Sequence, residues 1–385
     1  MKTFSRSLKR ISAIADKEWI QVRRDSRSLI LSLLAPVLLI LLFGYALTMD
    51  VKNVSMAVYD QDRTSGSRQF LEGFSHTEYI HIHSYVNGYD EIDRLIDTGN
   101  IAMAMVIPKN FAAGLRTGKG AKVQLLVDGS DSMSATVSLG YVQAIVMQYN
   151  RDIQVGMLES IGITRMKEPV DVRNRTWYNP EMESRNLIIP GLIVIILAII
   201  SALITSLTIS REWERGTMET LITTPVRPRE VLLGKLIPYL FIGVFDVVLT
   251  FLVGKFVFGV PMQGSFFELL LIAFLFLVGT SSLGILISAA TRIQVMSIQV
   301  AIVVTYLPSL ILSGFIFPVK NMPVFVQGIT YLIPATYMVT VIKGIAIKGV
   351  AWSLLVTQIL FLAAFTLIVM TVAMKKIRMQ LPEQG

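Results

Sequence analysis

The sequence predicts an α-helical integral membrane protein: six transmembrane helices with a re-entrant helical pair before the last, plus an extracytoplasmic α/β domain. Three observations predict it. Hydrophobic residues fill 53% of the 385 positions and charged residues 16%, with a mean hydropathy of +0.61, so a bilayer must solvate apolar surface that one soluble core cannot hide. Apolar stretches near the roughly 20 residues that a crossing helix requires recur along the chain. Lys and Arg collect on alternate flanks of those stretches, which accounts for the formal charge of +8 better than nucleic acid does. The absence of Cys excludes disulfides, zinc–thiolate sites and thiol nucleophiles.

Residues 1–28 form the first element. Ile11, Ile14, Ala15, Trp19 and Val22 recur at helical spacing opposite Lys9, Arg10, Lys17, Arg23 and Arg24, which describes a basic amphipathic helix in the headgroup plane. The first span, 29–49, carries the apolar run Leu29 to Leu47. It is too long for a secretory h-region and no small-x-small cleavage site follows before Asp50, so it reads as an uncleaved anchor. Residues 50–186 alternate short apolar runs with helical patterns. Val54 to Tyr59, Tyr79 to Tyr85, Ala102 to Ile107 and Val123 to Val127 read as strands, and Ser67 to Phe74, Tyr89 to Ile96 and Asn110 to Leu115 as helices. Val142, Val146, Tyr149, Ile153, Met157 and Ile161 make a stripe along one long helix, Ser132 to Ile161, and the Pro-containing stretch Gly162 to Arg185 is a connector.

The membrane region 187–374 supplies the other spans: Leu187 to Ile209, Val231 to Val253, Phe267 to Ala290, Ser297 to Phe317 and Trp352 to Ala373. Between the last two, residues 318–346 stay apolar but are broken by Pro318, Pro323, Gly328, Pro334 and Gly344. Val324 to Ile333 and Ala335 to Ile345 therefore read as two short helices dipping into the outer leaflet. Basic residues precede the first span, follow the second (Arg211, Arg215, Arg227, Arg229), separate the fourth from the fifth (Arg292) and open the tail 375–385 (Lys375, Lys376, Arg378). With six spans all four sets share one side, so both termini are predicted cytoplasmic and residues 50–186 extracytoplasmic.

The segment 211–230 carries the densest polar signal between spans. Glu212, Glu214, Arg215 and Glu219 offer ion pairs, Thr217, Met218, Leu221 and Ile222 a small contact surface, and Pro225 and Pro228 a stiff exit into the next span, with Gly216 at the break. Two stretches, Glu214-Arg-Gly-Thr-Met-Glu-Thr-Leu-Ile-Thr-Thr-Pro-Val-Arg-Pro-Arg-Glu-Val-Leu-Leu-Gly-Lys235 and Leu332-Ile-Pro-Ala-Thr-Tyr337, make the chain resemble the type-2 permeases of ABC transporters, over essentially its whole length.

That resemblance implies a membrane subunit of a bacterial exporter. The segment 211–230 would then dock on a separate cytoplasmic ATPase that holds ATP and Mg, with Pro334, Thr336 and Tyr337 in the re-entrant element. The chain itself would bind no cofactor. Its implied partners are that ATPase, a second permease copy or paralogue, membrane lipids and a periplasmic adaptor, with no nucleic acid; its implied cargo is an amphipathic molecule, drug-like or lipid. No G-x-x-x-x-G-K-[ST] motif is present, since Arg229 stands where Gly234-Lys235 would need the first Gly.

Three features remain. Asp246 lies mid-span, where an ionised carboxylate costs at least about 2.5 kcal/mol, so it reads either as a substrate or proton contact or as a helix-packing residue bonded to a hydroxyl. Lys235 and Lys255 bracket that span and are expected to reach opposite interfaces. His76, His81 and His83 cluster near Glu72 and Glu78, but without Cys this reads as a strand surface rather than a metal site. A membrane-anchored sensor or enzyme working through the external domain, and an ion-coupled carrier using Asp246, stay open as alternatives.

Overall fold

A computed structural model describes residues 2–46, 53–75, 77–117, 120–160, 177–179 and 183–377. It divides into two compact units, residues 1–49 with 175–385, and residues 50–174.

The smaller unit is built on a four-stranded sheet in the order β2-β1-β3-β4, from β1 (Val54–Asp60), β2 (Ile80–Tyr85), β3 (Met103–Ile107) and β4 (Gln124–Val127). β1 runs parallel to β2 and β3, and β4 antiparallel to β3. All four runs read as strands form strands. Every residue of β3 is buried because helices cover both faces of the sheet. Met103, Met105 and Ile107 pack with Phe70, Leu71 and Phe74 of a helix Ser65–Ser75, whereas Ala104 and Val106 pack with Ile92 of a helix Tyr89–Asp97. A helix Ser132–Ser160 closes the first face through Val142, and Tyr149 meets Phe70 with ring centroids 4.9 Å apart. Burial works against the charge of Asp62, but donors from Thr64 and the backbone N–H groups of Ala112, Asn110 and Phe111 outweigh it and hold the carboxyl below the ordinary range.

His81 and His83 are exposed on β2, where the register jumps so that Ala57 faces Ser84 and His83 is the extra residue. Among the described residues no group of three His, Cys, Asp or Glu side chains is placed to hold a metal; His76 lies outside them. Ile161 and the connector residues 162–176 and 180–182 lie outside them too.

In the larger unit, with α-helices numbered within it, α1 (Lys2–Arg24) and α2 (Ser26–Ala46) precede α3 (Ser184–Glu214), α4 (Thr217–Ile222), α5 (Pro228–Phe256), α6 (Phe266–Thr291), α7 (Gln294–Leu312), α8 (Val324–Thr330), α9 (Pro334–Ile347) and α10 (Trp352–Lys376). Five helices, α3, α5, α6, α7 and α10, are long and apolar enough to cross a membrane, and α8 with α9, bent by 85°, would make a sixth if the pair is one span. The run read as the first span lies in α2, whose apolar portion Ser32–Ala46 is shorter than those five among the described residues. In α7 the turn Ile302–Tyr306 is π-helical; Pro308, which has no N–H to give the i−4 carbonyl, lies two residues beyond it.

Helices gain no hydrophobic drive by meeting in lipid, so close packing and polar contacts must hold them. α3 and α6 show how. Ser201 donates to Thr280 at 2.8 Å, and the Ser288 hydroxyl accepts from the backbone N–H of Ser210 at 2.8 Å. A Cβ at Gly284 would lie 2.1 Å from the Thr205 hydroxyl and 2.4 Å from the Ala202 carbonyl, so this crossing requires glycine. Ser201, Thr205, Thr280, Ser282 and Ser288 are all buried, consistent with a packing seam.

Candidate functional site: a braced polar loop and a bent helical pair

The segment between α3 and α5 is shaped by three local devices. Gly216, at φ 71°, takes the left-handed conformation that ends α3 and lets α4 start. The Thr217 hydroxyl bonds back to the Glu212 carboxylate across that turn. Pro228 opens α5 with its ring in the first turn, and Glu230 caps the same helix by accepting the Arg227 N–H at 2.9 Å.

The loop is strapped down by α1. A Cβ at Gly234 would meet Ile14 at 2.7 Å, so α1 and α5 cross at nearly backbone contact. Around that crossing Ser7 donates to Glu230 at 2.6 Å, Arg10 pairs with Glu230 at 3.5 Å and also reaches the Pro225 carbonyl, and Lys17 pairs with Glu212 at 2.7 Å. At the centre sits Lys235, 1% exposed, bonded to Glu18 and 3.4 Å from Glu212. Tyr239 donates to Glu18 at 3.3 Å. Two carboxylates and two ammonium groups make the cluster formally neutral, the condition for keeping charges out of water.

These positions revise the sequence reading. Lys235 does not extend outward but is buried in the protein, where Glu18 and Glu212 hold it, because a counter-ion pair within reach is cheaper than extension past the α1 crossing. Glu18 escaped notice because an acid in a basic amphipathic helix reads as a solvated residue, yet it shares the inward face with Ile14 at i, i+4 spacing. Met218 is 1% exposed and packs with Ile209, Leu232 and Ile285, so it offers no outer contact surface, and Leu221 is half-buried against the same cluster.

The other segment residues fall into two groups. Glu212 is buried in the ionic cluster, and Glu214 accepts both the backbone N–H and the side-chain amide of Gln294, tying the end of α3 to the start of α7. Arg292 stacks over Trp213 at 4.5 Å beside it. Arg215, Gly216, Thr217, Glu219, Thr220 and Pro225 remain exposed on a support braced from several directions.

In the bent pair, Pro334 starts α9 after the chain turns. Thr336 donates to the Thr330 carbonyl at 3.1 Å and Tyr337 to the Tyr331 carbonyl at 2.7 Å, so the carbonyls freed where α8 ends are satisfied by two side chains from α9. Tyr337 also stacks on Phe361 of α10 at 5.2 Å.

Asp246 is 1% exposed, and one of its carboxylate oxygens has no hydrogen-bond partner. It lines a void of about 10 Å³ with Ser201, Tyr239 and Leu277. That is the size of one water at most and admits no cargo.

These features define a polytopic membrane protein with a rigidly supported polar loop. The chain belongs to the ABC-2 family of transporter proteins, whose family model matches residues 27–375. It is 37% identical to the "Probable multidrug ABC transporter permease YbhS" of Escherichia coli K12 over 359 residues, 93% of this chain and 94% of that one. It is 31% identical to YbhR of the same organism, also named a probable multidrug ABC transporter permease, over 86% of this chain and 89% of that one. ABC transporter G family member 20 of Dictyostelium discoideum is 24% identical over 88% of this chain but only 46% of its own length. The chain is thus a permease subunit of an ABC transporter and not an enzyme; the ATPase is a separate subunit.

Proposed function

We propose that this permease moves an amphipathic molecule, drug-like or lipid, out of the cytoplasm or inner leaflet of a bacterial inner membrane. A cytoplasmic ATPase holding ATP and Mg would dock on the exposed face of residues 215–225, and a second permease copy or paralogue would complete the pathway. The observation that carries this reading is the brace. A loop that only turned the chain would need no buried ionic cluster, whereas one that transmits force needs a support that does not yield. In this reading α2 is the sixth span, residues 50–186 are extracytoplasmic, and α8 with α9 dips into the outer leaflet without crossing. Membrane lipids contact the spans, and a periplasmic adaptor is a further partner where two membranes must be crossed.

Orientation is tested by single cysteines in this Cys-free chain. Ser130 and Lys9 are both exposed, so local burial does not confound either site. A cysteine at Ser130 should react with an impermeant maleimide in intact cells, and one at Lys9 only after permeabilisation. Labelling of the Lys9 site in intact cells would invert the topology.

For Asp246 we expect a role in the transport cycle rather than in assembly, because a buried, incompletely bonded carboxylate contributes poorly to packing. Asp246→Asn keeps the shape and removes the charge. The complex should assemble with its basal ATPase activity intact while ATP-driven transport falls; loss of the assembled complex would assign the residue to packing instead.

A further inference from the structure

We propose that a cavity at the N-terminal end of α3 binds an acidic amphiphile, its anionic phosphate head among Lys320, Lys343 and Lys348 and its acyl portion along Leu187, Val339 and Ile347. The cavity measures about 600 Å³ and lies between the start of α3, the Ser313–Lys320 stretch and α9. That volume lies within the range of small-molecule sites. Among the described residues its lining is cationic and apolar: the three lysines are its charged members, and no acid lines it.

The lysines want an anion. Lys343 is half-buried, and among the described residues its ammonium finds only the Gly314 carbonyl, at 3.5 Å. None of the three lysines has an ion pair among the described residues; Lys348 instead lies 6.0 Å over the Tyr178 ring. An ammonium removed from water without a counter-ion is costly, so a site that keeps one has a partner to supply it. Ser313, 1% exposed in the cavity wall, has a hydroxyl with no hydrogen-bond partner, a spare donor beside the lysines. Lys343 also opens the π-helical turn Lys343–Ile347, a distortion common at functional positions because its extra residue redirects side chains.

Position adds a second argument. Asn186, in the wall, and Glu212, in the braced cluster, stand at opposite ends of α3, about 39 Å apart at 1.5 Å per residue. The lysines therefore lie at the end of the bundle away from the basic flanks. Charge that sets topology belongs on the other side, so these three residues need another reason to be basic. The apolar wall next to them selects a head with a tail over a free anion. This assignment rests on the membrane placement of the chain and not on export, so it stands or falls by binding alone.

The test uses the purified permease–ATPase complex in uncharged detergent, with dihexanoyl phosphatidylglycerol, dihexanoyl phosphatidylcholine and glycerol phosphate as probes and native mass spectrometry as readout. The phosphatidylglycerol should bind at least about ten-fold more tightly than either other probe, as expected for loss of one charge-assisted contact or of the tail. Lys343→Gln should erase that preference and Lys343→Arg keep it. Should Lys343→Gln fail to fold, Lys320→Gln and Lys348→Gln, at exposed positions, should each reduce the preference. Retention through ATP turnover would mark a resident lipid and release would mark cargo, both within the proposal. Equal binding of the two lipids, tail-free glycerol phosphate binding as well as the lipid, or lysine variants that fold and still discriminate would overturn it.

Discussion

Lys235→Met should destabilise the permease far more than any charge change on the exposed loop that Lys235 supports. The change deletes the cation between Glu18 and Glu212 and leaves two carboxylates, 2% and 4% exposed, facing each other without it. Removing one partner of a buried ion pair costs about 3–5 kcal/mol, and Lys17, half-exposed, can compensate only the Glu212 side. The expected readout is a large fall in thermal midpoint and in the monodisperse fraction after detergent extraction. Loss should be greatest at the α1–α5 crossing, detectable as protease sensitivity within residues 2–24. The variant combining Lys235→Met with Glu18→Gln and Glu212→Gln, which carries no uncompensated buried charge in the cluster, should recover most of the loss. A Lys235→Met protein as stable as the parent would show that the cluster does not hold α1 in place.

Reversing one charge on the exposed loop should instead spare the fold and abolish coupling. Glu219 is exposed on α4, and among the described residues its carboxylate makes no hydrogen bond or ion pair, while its backbone carbonyl accepts the Thr223 N–H. Glu219→Arg should therefore leave insertion and thermal stability unchanged. At a docked interface an unfavourable charge pair costs several kcal/mol, enough to lower ATPase co-purification by orders of magnitude or to leave a bound ATPase unresponsive to substrate. Arg215→Glu tests the same face at a second exposed position. Leu221→Asp is a poor substitute, because Leu221 packs against the permease's own cluster and its loss would confuse docking with folding. If both charge reversals leave ATPase association and ATP-dependent transport as they were, residues 215–225 are not the docking surface. A sensor, an anchored enzyme or an ion-driven carrier predicts no effect from either.

The two experiments separate support from contact. Glu212 and Glu219 lie seven positions apart and read alike in the sequence, as acids in one polar segment. One is locked inside and the other faces out, so the first should behave as a positioning residue and the second as a contact.

Much of this protein was determined by sequence alone. Apolar length specified the long helices α3, α5, α6, α7 and α10, because a bilayer admits few solutions to the backbone's need for hydrogen bonds. The short apolar runs at 54–59 and 102–107 specified strands, and Pro334 marked the break between α8 and α9. These are local properties, set by spacing, by a missing N–H or by the length of an apolar run. What only the tertiary structure decided is which polar side chains meet. Glu18 and Lys235 are separated by 217 positions, and nothing local to either announces the other. Thr336 and Tyr337 read as part of a motif, but their work is to close the carbonyls of Thr330 and Tyr331 across a bend whose 85° the sequence does not state. Lys320 meets Lys343 and Lys348 only when α9 packs beside the Ser313–Lys320 stretch. Charge acts over distance in space, and distance in space is what folding alone supplies.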